Sequence, residues 1–124
     1  MNLLVVEDQT VAREVLIAVA SSAFPGVKVH AAADLGEALA AARAAPMDVV
    51  LLDLGLPGCH GIDALKRFRQ AFPQVITVVI SSHEDSRVIS AALEAGASGY
   101  IPKALTPAGI VAALRGRAAS TATA

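Results

Sequence analysis

Short apolar runs alternate with longer amphipathic segments along the whole chain. The runs predict strands over 3–6, 27–31, 49–52, 75–80 and 99–101. Helical periodicity and end signals predict helices over 9–24, from Asp34 through Arg43, after Gly61, from Asp85 or Ser86 to Ala95, and from Thr106 to near Arg117. Strands that alternate with helices and are apolar on both faces indicate a parallel sheet covered by helices on both sides. Right-handed crossovers then leave mainly the strand order open.

Local signals support several of these helices. Val11, Val15 and Val19 recur every fourth residue of the first one. Asp34 followed by Glu37 is typical of a capping box, and Thr106 before Pro107 is typical of an N-cap with a first-turn proline. Arg67 and Arg69 are expected on the solvated face of the third helix.

Composition narrows the class of protein. The 124 residues fit one domain, and the 55% hydrophobic content supports a packed core of aliphatic residues. Ten basic against eleven acidic residues lack the basic excess of nucleic-acid binders. The single Cys excludes an internal disulfide, and no apolar run is long enough for a membrane span. With no secretory signal at the start, we expect a soluble, cytoplasmic domain without membrane contact.

Polar side chains follow four of the predicted strands. Glu7 and Asp8 follow the first strand, Asp53 the third and Ser81 the fourth, and Lys103 comes shortly after the fifth. Each residue alone is ordinary in a cap or loop. Ligands of such sheets bind beyond the carboxyl ends of the strands, so together these residues predict a site there.

This residue set favours metal-assisted phosphoryl chemistry. Three clustered carboxylates repel one another and need a cation, and all-oxygen ligation suits Mg²⁺. Lys103 can supply positive charge to a phosphoryl group, and Ser81 a hydroxyl donor. Asp53, on the central strand, is then the nucleophile that would form an acyl phosphate.

Sequence motifs around these residues resemble those of response-regulator receiver domains of two-component signalling, which are CheY-like. Glu7-Asp8 resembles the acidic pair, and Asp53 in VVLLDLGLPGCHG the phosphoacceptor. Ser81 in VVISS resembles the switch hydroxyl, Lys103 in GASGYIPKAL the family lysine, and Tyr100 the switch aromatic. The resemblance covers essentially the whole chain and is closest to the NarL/LuxR-type regulators.

The resemblance implies a fold and a domain division. The fold is a doubly wound, flavodoxin-like (βα)5 α/β domain with a five-stranded parallel sheet in the order 2-1-3-4-5. The receiver is expected over 1–117, and 118–124 as a flexible tail or the start of a linker.

The resemblance also implies roles for the site residues. Mg²⁺ is expected on Glu7, Asp8, Asp53 and the Gly55 carbonyl. Asp53 would accept phosphate from a sensor histidine kinase, with Lys103 and Ser81 assisting. Ser81 and Tyr100 would then change the face formed by the fourth helix, the fifth strand and the last helix.

The expected partners follow from the same resemblance. They are the kinase, a second copy of the chain on phosphorylation, and DNA only through an output domain that is not present in this chain. The chain would be no enzyme beyond catalysing its own phosphorylation and dephosphorylation. Whether it is an excised receiver or a stand-alone one stays open.

Two alternative functions use related features. A phosphatase of the haloacid dehalogenase type needs a second Asp two residues after the nucleophile, where this chain has Gly55. A non-phosphorylated adaptor of the same fold usually lacks the acidic pair or the lysine, and this chain keeps both.

Glycines and histidines near the site do not form another motif. Gly55, Gly58 and Gly61 are spaced unlike a dinucleotide fingerprint and are expected to serve the turn and a close helix approach. His30, His60 and His83 lie in separate segments, which argues against a zinc site.

Overall fold

The computed structural model describes residues 1–56, 61–82 and 85–123, with side chains up to residue 116. Its elements are β1 Asn2–Val6, α1 Thr10–Ala23, β2 Lys28–Ala32, α2 Leu35–Ala44, β3 Val49–Asp53, α3 Gly61–Ala71, β4 Ile76–Ser81, α4 Ser86–Glu94, β5 Gly99–Pro102 and α5 Pro107–Thr123. The five strands form one parallel sheet in the order β2-β1-β3-β4-β5. The flavodoxin-like fold and its strand order are confirmed. No described helix is long and apolar enough to cross a membrane.

Alternating side chains of the strands divide the core between the two faces of the sheet. One core lies under α2, α3 and α4 and includes Leu4, Val50, Phe68 and Tyr100. The other lies under α1 and α5 and includes Leu3, Leu51, Ile101 and Leu114. Strand β3 is buried along its whole length, so its last residue, Asp53, is held at the centre of the molecule.

The predicted helix caps are confirmed. Asp34 Oδ1 accepts a hydrogen bond from the Glu37 N–H at 2.8 Å, and Glu37 Oε1 accepts one from the Ala33 N–H at 3.0 Å. Thr106 Oγ1 accepts one from the Gly109 N–H at 3.1 Å. These bonds satisfy amide groups that have no partner within their own helix.

Helix α5 runs to Thr123, so the expected end near Arg117 is wrong. The residues after Gly116 include four alanines and no proline or glycine, and nothing in the sequence stops the helix there. The interpretation of 118–124 as a tail or linker start stays a prediction.

The valines of α1 are not all buried. Val19 is buried, but Val15 is 43% exposed and Val11 is 76% exposed. A spacing of four residues advances 40° more than one full turn of a 3.6-residue helix, so the row of valines winds from the core to solvent. The periodicity predicted the helix correctly without indicating which of its side chains face the sheet.

The interpretation of Arg69 as a solvated side chain is wrong. Its Nη1 donates hydrogen bonds to the carbonyls of Pro73 at 2.8 Å and Val75 at 2.9 Å. These carbonyls lie in the connection between α3 and β4, so the arginine ties the end of the helix to the start of the strand. Arg67, two residues earlier, is exposed as expected.

Candidate metal centre at the carboxyl end of the sheet

The sheet brings the predicted site residues to one end of adjacent strands. Glu7 and Asp8 follow β1, Asp53 ends β3, Ser81 ends β4, and Lys103 follows β5. Strand β3 lies between β1 and β4, and β4 also pairs with β5. Because all the strands are parallel, their carboxyl ends meet at the same end of the sheet, as expected.

A lysine bridges two buried carboxylates at the centre of the site. Lys103 Nζ lies 3.0 Å from Glu7 Oε1 and 3.1 Å from Asp53 Oδ2. Glu7 is completely buried, Asp53 is 4% exposed, and the lysine side chain is 29% exposed. The lysine therefore neutralises two carboxylates that would otherwise repel each other inside the protein.

This arrangement shifts the pKa of all three groups. Burial raises the pKa of Glu7 to about 7, and the neighbouring Asp53 raises it while Lys103 lowers it. Burial also pushes the pKa of Asp53 upward, but Glu7, the Gly55 N–H and Lys103 together hold that pKa below its usual value. Burial lowers the pKa of Lys103, and the two carboxylates outweigh this and raise it. Asp53 is thus the carboxylate that stays ionised.

The oxygen atoms of the site fit a small divalent cation. Glu7, Asp8 and Asp53 each offer a carboxylate oxygen, and these oxygens lie within 4.8 Å of one another. Glu7 Oε2 is buried and has no hydrogen-bond partner among the described residues. A buried oxygen without a donor is costly unless a cation binds it, and Asp8, the most exposed of the three, opens the cluster to solvent.

Gly55 lies beside Asp53, the predicted phosphoacceptor. Its N–H donates a hydrogen bond to Asp53 Oδ1 at 3.0 Å, and an added Cβ would lie 3.5 Å from both carboxylate oxygens of Asp53. The glycine therefore leaves the space next to this carboxylate open. Metal binding through the Gly55 carbonyl stays a prediction.

The two predicted switch residues lie on the same face of the sheet. Tyr100 pairs in register with Val79, and Ser81 follows Val79 by two residues, which places it on the same face. Ser81 is buried, and its carbonyl accepts a hydrogen bond from the Lys103 N–H at 2.9 Å. Tyr100 is 8% exposed and belongs to the core under α4. This hydrogen bond thus ties the backbone at Lys103 to β4.

Sequence reasoning missed one residue that shapes the site and identified another. Arg13 Nη1 donates hydrogen bonds to the Glu7 carbonyl at 3.0 Å and the Asp8 carbonyl at 3.4 Å. A basic residue in the first turn of the helix after an acidic pair is the signal that was available. At Gly61, a Cβ would clash with the Leu54 carbonyl oxygen, which confirms the close helix approach expected of this glycine.

Polar residues at the amino end of the sheet form a different arrangement. The Asn2 N–H donates to Asp48 Oδ2 at 2.8 Å, and Asn2 Nδ2 donates to the Pro46 carbonyl at 2.9 Å. His30 Nε2 lies 3.3 Å from Asn2 Oδ1, so this histidine has an amide partner. His60, His83 and Gly58 lie outside the described residues.

Comparisons with known proteins identify the family of the chain. Residues 3–115 match the protein family described as the response regulator receiver domain. The chain is 35% identical to the glycerol metabolism activator of Pseudomonas putida over 103 residues, which cover 82% of this chain and 47% of that protein. It is 30% identical to the response regulator UvrY of Escherichia coli O6:H1 over 116 residues, 93% of this chain and 53% of that protein.

A solved structure gives the same result. The two-component response regulator of the LuxR family from Aurantimonas sp. SI85-9A1 superposes with a TM-score of 0.86 at 36% identity, covering 96% of this chain and 85% of that one. The chain spans about half the length of the curated relatives it matches.

Proposed function

Because the chain belongs to the response regulator receiver domain family, we propose that it is a phosphorylation-dependent switch whose phosphoacceptor is Asp53. The single observation that carries the proposal is the bridging of Glu7 and Asp53 by Lys103 inside a cluster of three converging carboxylates. Glu7, Asp8, Asp53 and the Gly55 carbonyl would hold Mg²⁺.

The transfer step uses the ionised Asp53. One of its oxygens forms a bond to the phosphorus of a donor phosphohistidine, and the phosphorus–nitrogen bond of that histidine breaks. The electron pair of that bond goes to the imidazole nitrogen, which takes up a proton from water, and Asp53 becomes an acyl phosphate. When bound, Mg²⁺ neutralises charge on the phosphoryl oxygens. Lys103 lies 3.1 Å from Asp53 Oδ2 and is close enough to bind one of these oxygens. The hydroxyl of Ser81 would donate a hydrogen bond to another.

The structural change on phosphorylation would pass through β4 to the neighbouring helices. The phosphoryl group adds about −1.5 to −2 charge next to Ser81. Tyr100 lies on the same face of the sheet as Ser81. We therefore assign the changing surface to α4, β5 and α5. The chain would catalyse only its own phosphorylation and dephosphorylation.

The partners and location belong to the same proposal. The donor is a sensor histidine kinase in the cytoplasm, and phosphorylation favours pairing with a second copy. Among the relatives, the glycerol metabolism activator is about twice as long as this chain, and a solved structure of similar fold belongs to a LuxR-family regulator. DNA would thus be reached through an additional output domain.

Phosphorylation by a small donor tests the proposal. The chain is incubated with acetyl phosphate and Mg²⁺ and measured by intact mass, with Asp53→Asn as the test variant and Asp48→Asn, at the opposite end of the sheet, as the matched control. We expect one phosphoryl group on the wild type and on the control, and none on Asp53→Asn. An unmodified wild type would favour the adaptor function instead, and full labelling of Asp53→Asn would show that another residue is the acceptor.

A further inference from the structure

The side chain of Arg13 connects α1 to the end of β1. Arg13 is half-buried, and its Nη1 donates to the Glu7 and Asp8 carbonyls at 3.0 and 3.4 Å. Its own N–H donates to the Gln9 carbonyl at 2.8 Å, so the arginine is anchored in the first hydrogen-bonded turn of the helix. One guanidinium thus holds the backbone that carries two of the three clustered carboxylates.

We propose that Arg13 is a positioning residue for the metal centre, which keeps the Glu7 and Asp8 carboxylates directed towards Asp53. This inference rests on the proposed function, since it assigns a role in the same cation site. Arg13 acts through the backbone of the acidic pair, because the hydrogen bonds it makes go to carbonyl oxygens.

The acidic pair needs such an anchor because its side chains repel their neighbours. Lys103 pairs with Glu7 and Asp53, and no ion pair of Asp8 is found in the described part of the chain. On the other side, the Glu7 N–H is held by the Ala32 carbonyl at 3.0 Å. Without Arg13, the carbonyls of the acidic pair would lose this donor, and Asp8 could move away from the other carboxylates.

The charge of Arg13 makes the role of the residue measurable. A guanidinium near a cation site opposes Mg²⁺ through its charge, so a purely electrostatic role predicts tighter Mg²⁺ binding when the charge is removed. A positioning role predicts weaker binding, because the ligands lose their geometry. The two roles therefore differ in the sign of the effect.

Mg²⁺ titration of the unphosphorylated full chain by calorimetry measures this effect. We expect Arg13→Met to raise the Kd for Mg²⁺ roughly tenfold, as is typical when a residue that orients metal ligands is removed. Arg13→Lys keeps the charge and a donor, so it should recover part of this loss. Arg87→Met, which removes an equal charge from a side chain that is 91% exposed, should leave the Kd unchanged.

Stability is separated from positioning by a further control. Asn2→Ala removes the side-chain hydrogen bonds to the Pro46 carbonyl and to His30 at the far end of β1. This variant should lose stability and keep the wild-type Kd for Mg²⁺. An Arg13→Met chain that binds Mg²⁺ as tightly as the wild type, or more tightly, overturns the inference. If Arg13→Met fails to fold, Arg13→Lys decides, since wild-type affinity in that variant overturns it too. A wild-type chain that binds no Mg²⁺ would refute the metal site of the proposed function itself, and the inference with it.

Discussion

The two ends of the sheet use polar residues in opposite ways. At the amino end, Asn2 joins His30, Asp48 and the Pro46 carbonyl through hydrogen bonds close to solvent. At the carboxyl end, Glu7 and Asp53 lie buried beside each other, and Glu7 Oε2 has no partner among the described residues. The same strands thus carry a satisfied polar network at one end and an unsatisfied one at the other.

This difference separates residues that maintain the fold from residues that the proposed function assigns to a ligand. Hydrogen bonds near solvent contribute about 0.5–1.5 kcal/mol each and are easily satisfied. Buried like charges cost several kcal/mol unless a partner neutralises them. Nothing in the packing of a parallel sheet requires buried carboxylates, since the one carboxylate described at the amino end, that of Asp48, is exposed. We infer that the buried carboxylates lower the stability of the carboxyl end and are present because of the proposed cation and phosphoryl binding.

Removing Lys103 should give the largest difference in stability between the two ends of the sheet. Lys103→Met leaves the buried Glu7 and Asp53 without their shared cation, and we expect a loss of about 2–4 kcal/mol in the free energy of unfolding at neutral pH. Lys28→Met, at the amino end of β2, removes an exposed lysine and should change it by less than about 0.5 kcal/mol. Urea denaturation of both variants measures the difference. Equal losses would contradict the proposed contrast between the ends.

The pH dependence of stability should come from Glu7 near neutrality. Its pKa is raised from 4.5 to about 7 in the folded state, so the folded chain holds this proton more tightly than the unfolded chain. The stabilisation is therefore complete below about pH 4.5 and is lost as the pH rises through about 7. Without metal, the free energy of unfolding should fall by up to roughly 3 kcal/mol across this window.

The other two groups of the cluster act outside this pH window. The lowered pKa of Asp53 affects stability as the pH falls below its usual 3.8, and the raised pKa of Lys103 affects it above 10.5. Glu7→Gln should therefore remove the slope, whereas Glu14→Gln, an exposed carboxylate on α1, should keep it. Denaturation in EDTA between pH 4.5 and 7.5 provides the measurement, and a slope that survives in Glu7→Gln would show that another group causes it.

A glycine substitution at the carboxyl end should cost more than one in open space. Gly61→Ala places a Cβ against the backbone of Leu54, the residue that follows Asp53, and we expect a loss of about 1–3 kcal/mol. Gly116→Ala in α5 meets nothing within 4 Å and should stabilise its helix by about 0.5–1 kcal/mol. Thermal unfolding of both variants tests this. A Gly61→Ala chain as stable as the wild type would mean that α3 can shift without affecting the site.

The smallest effect is expected at the amino end itself. Asp48→Ala removes one exposed acceptor of the Asn2 N–H, and we expect a loss of about 1 kcal/mol or less. Phosphorylation by acetyl phosphate should keep its wild-type rate. A slower reaction in this variant would show that the two ends of the sheet are coupled.

The sequence predicted the architecture because apolar periodicity and parallel topology together determine where strand ends meet. Glu7, Asp53, Ser81 and Lys103 could be grouped for that reason, before any distance was known. Their pairing could not be predicted, since only packing decides that Lys103 Nζ lies between two carboxylates. A site of this kind is recognisable from the positions of its residues, but its electrostatics are not.

Three other features could not be predicted from the sequence pattern. The burial of Val19 but not Val11 depends on how α1 lies on the sheet. The carbonyl contacts of Arg13 depend on where α1 begins relative to β1, and those of Arg69 depend on where α3 ends relative to β4. The length of α5 beyond Arg117 carries no pattern signal, because small residues are compatible with both a helix and a loop.

The bond between Lys103 and Glu7 has a consequence for biosynthesis. It joins residues 96 positions apart, so the site cannot exist until nearly the whole domain has been synthesised and folded. Contacts of such long sequence separation form late, because the intervening chain must lose its conformational freedom first. A nascent chain that has not yet been synthesised as far as Lys103 would therefore carry Asp53 without its lysine, and competence to receive a signal would itself report that this fold is complete.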